Sequence, residues 1–270
     1  MKKNLVYISL GLLTTAMALL PLQNQHTSVA QAETTQLTEL ITAGSQYYNY
    51  DANTGQLLSS GFLVGVPRYI APCGGKFACA TLQTRAFVTL SGQPIESITA
   101  EGYYYNYDAN TGQLLSSGYT FDIPRYAQGP CQGQPSCKFD TRTFATVNGQ
   151  LTESITANGQ YWNYNANTGQ LLSTGNLLDV SRYAQGPCQG QTSCKFDTRT
   201  FVTFNGQLTE SITANGQYWN YNANTGQLLS TGNLLDVPRY AQGPCSGQPS
   251  GTCTFTTRSF ASTPTSPSTK

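Results

Sequence analysis

The sequence predicts an all-β fold of four repeats, arranged as a four-bladed β-propeller-like ring. Three observations carry this reading. A 57-residue period sets Glu39, Glu96, Glu153 and Glu210 at equal spacing, with Tyr50, Tyr107, Tyr164 and Tyr221 in step; such a period marks solenoids, propellers or module arrays. Within a period, turn signals separate four runs rich in β-branched and aromatic residues, the composition of an antiparallel meander. Finally, the chain enters at QLTELITA (36–43), a second strand without its first, and leaves at TTRSFAS (256–262), a first strand without its second. A ring would pair these two ends. The alternative, a linear array of small β modules, leaves each of them half of a hairpin.

Residues 1–32 read as a secretory signal peptide: Lys2 and Lys3 precede an apolar run from Leu5 to Leu22, and Ala30-Gln31-Ala32 supplies the small residues of a cleavage site. The four-repeat domain then spans 33–262, with copies at about 36–92, 93–149, 150–206 and 207–262, and 263–270 (TPTSPSTK) reads as a disordered tail. The third copy displays the pattern best. TRTFATV, Asn148-Gly149, QLTESITA, Asn158-Gly159, QYWNYN, Ala166-Asn167-Thr168-Gly169 and QLLS follow one another. Asn-Gly between alternating runs is a strong hairpin signal because both residues tolerate positive φ. A connector of some twenty residues follows at 175–194, rich in Gly and Pro. No helix is expected in the mature chain.

Each repeat contributes one cysteine pair: Cys73/Cys79, Cys131/Cys137, Cys188/Cys194 and Cys245/Cys253. In an exported chain, four such pairs imply disulfides, with local closure the simplest connectivity. The expected location is therefore secreted, extracellular or periplasmic. Without Lys2 and Lys3 the chain keeps 12 basic and 13 acidic residues. That balance disfavours nucleic acid, which requires clustered basic surface, and no later stretch is long and apolar enough for an integral membrane protein. No cofactor or metal is expected. The one histidine, His26, lies in the signal peptide, so triads and histidine-rich metal sites are absent from the mature chain. Paired carboxylates, Glu153 with Asp140 or Asp179, are the remaining catalytic candidates. An arginine stands eleven residues before each of three glutamates (Arg85/Glu96, Arg142/Glu153, Arg199/Glu210), while Glu39 and Arg258 are left at the two ends. These glutamates are read as structural ion pairs, and the expectation is no enzyme. Asp51-Ala52-Asn53-Thr54-Gly55 has a superficial calcium-loop pattern, but Asn165 and Asn222 replace the aspartate in later copies, and a turn explains it.

The best candidate for binding is the aromatic strand. Alternation on a strand sends Tyr161 and Asn163 to one face and Trp162 and Tyr164 to the other. The exposed set across four copies would be Tyr47, Asn49, Tyr104, Asn106, Tyr161, Asn163, Tyr218 and Asn220, pairing an aromatic ring with an amide as sugar recognition requires. The segment from Gly159-Gln160-Tyr161-Trp162 through Gly169 and Ser173-Thr174-Gly175 resembles choline-binding cell-wall repeats, and YNYDANTGQLL (48–58 and 105–115) resembles the YD repeats of large secreted bacterial proteins. Both likenesses are short and consist largely of turn residues; neither assigns a family, and they imply a glycan-facing, surface-exposed setting. The expected function is non-enzymatic binding of glycans or cell-surface components. The alternatives are a structural matrix or surface-coat protein, and a protease inhibitor that presents a stapled loop with Lys76 as its in-loop basic residue.

Overall fold

The computed structural model describes residues 35–73, 82–248 and 252–264. The expected signal peptide, Lys76, Cys79 and the last six residues lie outside this set. The described chain forms four antiparallel four-stranded sheets, the blades of a β-propeller. Blade II holds β4 (Leu82–Leu90), β5 (Gln93–Ala100), β6 (Tyr103–Asp108) and β7 (Leu114–Tyr119). Blade III holds β8 (Thr141–Val147), β9 (Gln150–Ala157), β10 (Gln160–Asn165) and β11 (Leu171–Asn176). Blade IV holds β12 (Thr198–Phe204), β13 (Gln207–Ala214), β14 (Gln217–Asn222) and β15 (Leu228–Asn233). Blade I is made from both ends of the chain: β16 (Thr257–Pro264) pairs with β1 (Thr35–Ala43), which is followed by β2 (Gln46–Asp51) and β3 (Leu57–Phe62).

The ring is thus closed by the pairing expected from the two unmatched ends. Glu39 lies opposite Phe260 and Ile41 opposite Arg258, the same register that sets Glu153 opposite Phe144 within blade III. β16 runs to Pro264, two residues past the expected end of the repeat domain. Each blade therefore combines the last strand of one sequence repeat with the first three of the next.

Local chemistry explains the hairpins. Asn148 and Gly149 have φ of 50° and 78°, and Asn158 and Gly159 have 52° and 76°, the left-handed pair that two-residue hairpin turns require. At the wider turn, Asn165 Oδ1 accepts the backbone N–H of Asn167 at 2.9 Å and of Thr168 at 3.0 Å. Asp51 and Asp108 use a carboxylate oxygen in the same way, which gives those aspartates a turn-forming role.

The innermost strands β4, β8, β12 and β16 pack around the axis. Thr84, Thr141, Thr198 and Thr257 converge there, leaving a void of only about 10 Å³. Each of these threonines shares a buried hydroxyl–hydroxyl hydrogen bond of 2.7–2.8 Å with Thr99, Thr156, Thr213 or Thr42 on the next strand. Cores lie where a connector packs on the blade that follows it. One gathers Tyr126, Cys131, Cys137, Phe139, Ile155 and Trp162; its counterpart gathers Tyr183, Cys188, Cys194, Phe196, Ile212 and Trp219. At the seam, Tyr240, Cys245, Cys253 and Phe255 from the end of the chain pack on Ile41 and Tyr50 from its beginning.

The local staples form as expected, joining Cys131 to Cys137, Cys188 to Cys194 and Cys245 to Cys253. Cys73 is also disulfide-bonded. Cys73, Cys131, Cys137, Cys188, Cys194, Cys245 and Cys253 are all buried, while Gln132, Gly133, Pro135 and Ser136, between Cys131 and Cys137, are exposed. The cause is the docking of each connector on the next blade, which turns the sulfurs inward as part of the apolar core. The expectation of no helix is corrected: each of three connectors contains a single helical turn, α1 (Pro124–Ala127), α2 (Ser181–Ala184) and α3 (Pro238–Ala241). Proline at the first helical position of α1 and α3 presets φ and removes an N–H that would have no partner. Four residues are too few to display a helical period. On the rim, the outer strands β3, β7, β11 and β15 expose a leucine pair in every blade, each residue 40–49% exposed. No helix among the described residues is long and apolar enough to cross a membrane.

Candidate functional site

A buried charge cluster anchors every connector to its blade. In blade III, Glu153 from β9 is fully buried. It accepts from Arg142 Nε on β8 at 2.6 Å, from Arg125 Nε in the connector at 3.1 Å, and from the Tyr126 hydroxyl. Glu210 has the same donors in Arg199, Arg182 and Tyr183, and Glu39 has them in Arg258, Arg239 and Tyr240. Glu96 meets Arg85, Arg68 and Tyr69. Burial pushes these four carboxyls up, but the two facing guanidiniums and the tyrosine hydroxyl outweigh it and hold each below the ordinary carboxylate value. Each cluster contains two guanidiniums and one carboxylate, so it retains a net positive charge.

The inner arginine also ties blades together. Arg142 Nη1 donates to Ser97 Oγ of blade II at 2.5 Å, and that hydroxyl donates to Asn106 Oδ1 at 2.6 Å. Ser154 and Ser211 repeat the link with Arg199 and Arg258. Blade I has Leu40 at this position, and the buried Asn49 Oδ1 has no hydrogen-bond partner among the described residues.

Beside the outer arginines lie two matching clefts. One, of about 750 Å³, is walled by Trp162, with Arg125, Gln128, Gln132, Gln160 and Thr174 around it. The other, of about 680 Å³, is walled by Trp219, with Arg182, Gln185, Gln189, Gln217 and Thr231. These are the only two tryptophans in the chain. The connector crosses each tryptophan so closely that glycine is required there. A Cβ on Gly129 would sit 3.3 Å from the Trp162 ring and 2.9 Å from the Arg125 carbonyl oxygen. Tyr164 fixes the crossing by donating to that carbonyl at 2.9 Å. The aromatic position is Tyr105 in blade II and Tyr48 in blade I, and the first connector lacks the Gln-Gly pair.

The eight residues singled out on the aromatic strand do share one face, opposite the tryptophans. Tyr47, Tyr104, Tyr161 and Tyr218 lie across the glycines of the outer strands. A Cβ on Gly61, Gly118, Gly175 or Gly232 would come within 3.0–3.3 Å of the phenol. Asn163 bridges three strands: its Oδ1 accepts from Ser154 at 2.6 Å, and its Nδ2 donates to Ser173 at 2.9 Å. Asn106 and Asn220 do the same, and Asn49 donates to Ser59. The amides are thereby engaged in strand pairing. Asn163 nevertheless lines a narrower cleft of about 320 Å³ between blades III and IV, where Arg182 also appears. Arg182 is thus shared with the Trp219 cleft.

Sequence reading missed the second arginine and the tyrosine of each cluster. Their signal was present as Arg-Tyr at 68–69, 125–126, 182–183 and 239–240, but only the fold shows that a connector docks on the next blade. The clefts were missed for the same reason.

No protein-family model and no curated protein matches the chain. Solved structures do. A hemopexin fold protein, CP4 from cow pea, superimposes with a TM-score of 0.58 at 12% identity, covering 76% of this chain and 92% of that one. A plant albumin from Cicer arietinum showing hemagglutination gives 0.57 at 14% identity, with the same coverage. A plant lectin with two metal binding sites from Cicer arietinum gives 0.57 at 12% identity, also covering 76% and 92%. At these identities the likeness concerns the fold alone.

Proposed function

We propose that the protein is an exported, non-enzymatic, multivalent carbohydrate-binding propeller. The observation that carries this reading is the pair of tryptophan-walled clefts repeated on adjacent blades. An indole beside several glutamine amides and a threonine hydroxyl suits a pyranose, which offers a C–H face and a rim of hydroxyls. The disulfides support an oxidising compartment, and the four buried glutamates support a scaffold role for the carboxylates. Descriptions of a lectin and a hemagglutinating albumin among the structural neighbours agree with the reading without assigning a ligand. Asn163 lines a secondary groove, joined to the Trp219 cleft through Arg182.

Binding of the disulfide-intact chain 33–270 to a broad glycan array tests the proposal. Replacing the exposed Gln160 and Gln217 by alanine is expected to weaken every positive signal while leaving the melting temperature unchanged. Absence of binding across the panel refutes it. A second reading, self-association into a surface coat, rests on the leucine pairs of the outer strands, since exposed apolar edge strands favour pairing between molecules. Sedimentation velocity over a concentration series checks it: reversible assembly that is abolished by Leu171→Ser and Leu172→Ser supports the coat.

A further inference from the structure

We infer that the Trp162 and Trp219 clefts select sugars that carry a negative charge. This rests on the carbohydrate reading above and narrows it to a ligand class. Among the residues lining each cleft, the single charged side chain is an arginine, Arg125 or Arg182, and no aspartate or glutamate contributes. These arginine side chains are 31% and 32% exposed, so they reach the solvent of the cleft.

Each guanidinium is also held in place. Arg182 donates through Nε to Glu210 and through Nη2 to the Tyr183 hydroxyl, leaving Nη1 without a hydrogen bond among the described residues. Arg125 is held identically by Glu153 and Tyr126. A group fixed in this way loses little freedom when a ligand binds. Its charge is not cancelled by the glutamate, because that carboxylate is shared with the inner guanidinium at 2.6 Å. The cleft therefore combines an aromatic wall, uncharged amides and one uncompensated, preoriented cation. A pyranose bearing a carboxylate or a sulfate ester satisfies all three; a neutral sugar leaves the cation facing water.

The test uses the disulfide-intact chain 33–270 and titration calorimetry with three matched oligosaccharides: a neutral one, its uronic-acid counterpart and its sulfated counterpart. At low salt at least one acidic ligand is expected to bind about tenfold more tightly than the neutral one, the size of a single charge-assisted hydrogen bond. The advantage should shrink as ionic strength rises. Which acidic ligand is preferred separates carboxylate from sulfate recognition. Because Arg125 and Arg182 also hold the fold, the variant is Gln128→Glu with Gln185→Glu, which places an acid at each exposed rim. It is expected to weaken the acidic ligand at least several-fold more than it weakens the neutral one. Equal affinity for neutral and acidic ligands, or equal loss of both in the variant, overturns the charge selection and leaves carbohydrate binding intact. Failure of all three ligands and of a wider array overturns both.

Discussion

Replacing Glu39 by glutamine should destabilise the whole ring. Glu39 comes from β1, and its donors come from two distant segments: Arg258 Nε on β16 at 2.7 Å, Arg239 Nε in the last connector at 3.0 Å, and Tyr240 at 2.6 Å. Glutamine keeps the shape but removes the charge and turns an N–H₂ toward guanidiniums, which can only donate, or toward the Tyr240 hydroxyl oxygen, which already accepts from Arg239 and Arg258. Arg258, with 8% of its side chain exposed, then has no counter-ion; Arg239, at 31%, can turn toward water. Breaking one partner of a buried pair costs about 3–5 kcal/mol, and relaxation of Arg239 favours the lower end. At roughly 2–4 °C per kcal/mol for a domain of this size, the midpoint should fall by roughly 6–12 °C at pH 7. Differential scanning calorimetry with the disulfides intact measures this. The sign of the pH dependence follows from the lowered carboxyl of Glu39. Its contribution is complete above the ordinary carboxylate value and is lost as pH falls through the folded value. The gap between wild type and variant should therefore close in acid. A variant melting within about 2 °C of wild type at pH 7, or a gap that is constant into acid, would falsify the electrostatic account.

Three other outcomes are expected. Deleting 256–270 removes β16 and Arg258, and should lower the melting temperature of the entire ring and abolish protection of the β1 amides that face β16; three blades melting as in the intact protein would contradict closure. Gly129→Ala forces a Cβ against the Arg125 carbonyl oxygen and the Tyr164 hydroxyl, and should cost about 1–3 kcal/mol in urea denaturation, whereas Gly149→Ala, with open space around its Cβ, should cost only the strain of its positive φ. Intact-mass analysis of the exported protein should give Glu33 as the first residue and no reactive thiol; four or more reactive thiols would exclude the local staples.

The ring was legible in the sequence because repetition and strand alternation act through near neighbours. Asn148-Gly149 fixes a turn by its own backbone preference, and a spacing of 11 between Arg142 and Glu153 follows from one hairpin. The unmatched Glu39 and Arg258 then supplied the single long-range contact. The second arginine was not legible, because Arg125 reaches Glu153 only after a connector has crossed to another blade, and no periodicity encodes that crossing. The same crossing builds the tryptophan clefts and buries staples such as Cys245–Cys253, whose pairing could be read from spacing while their depth could not. Alternation correctly separated Trp162 from Tyr161 but could not reveal that the side packed in the core is also where an opening forms. The helical turns escaped notice since a single turn such as α1 is fixed by its proline and its tertiary contacts.

The seam of the ring lies inside blade I rather than between two blades, and this bears on how such a chain changes over generations. The strands that close the circle are the first and the last, so a crossover anywhere between them can add or remove a whole 57-residue unit without disturbing the closing pair. Copies three and four, which share ESITANGQYWNYNANTGQLLSTGNLLDV at 153–180 and 210–237, have the form that a recent duplication of this kind leaves behind. Ancestry and architecture are thereby out of phase by one strand. Gene-level copying multiplies repeats, while the finished molecule is counted in blades, and the offset lets the number of units vary while the two ends continue to find each other.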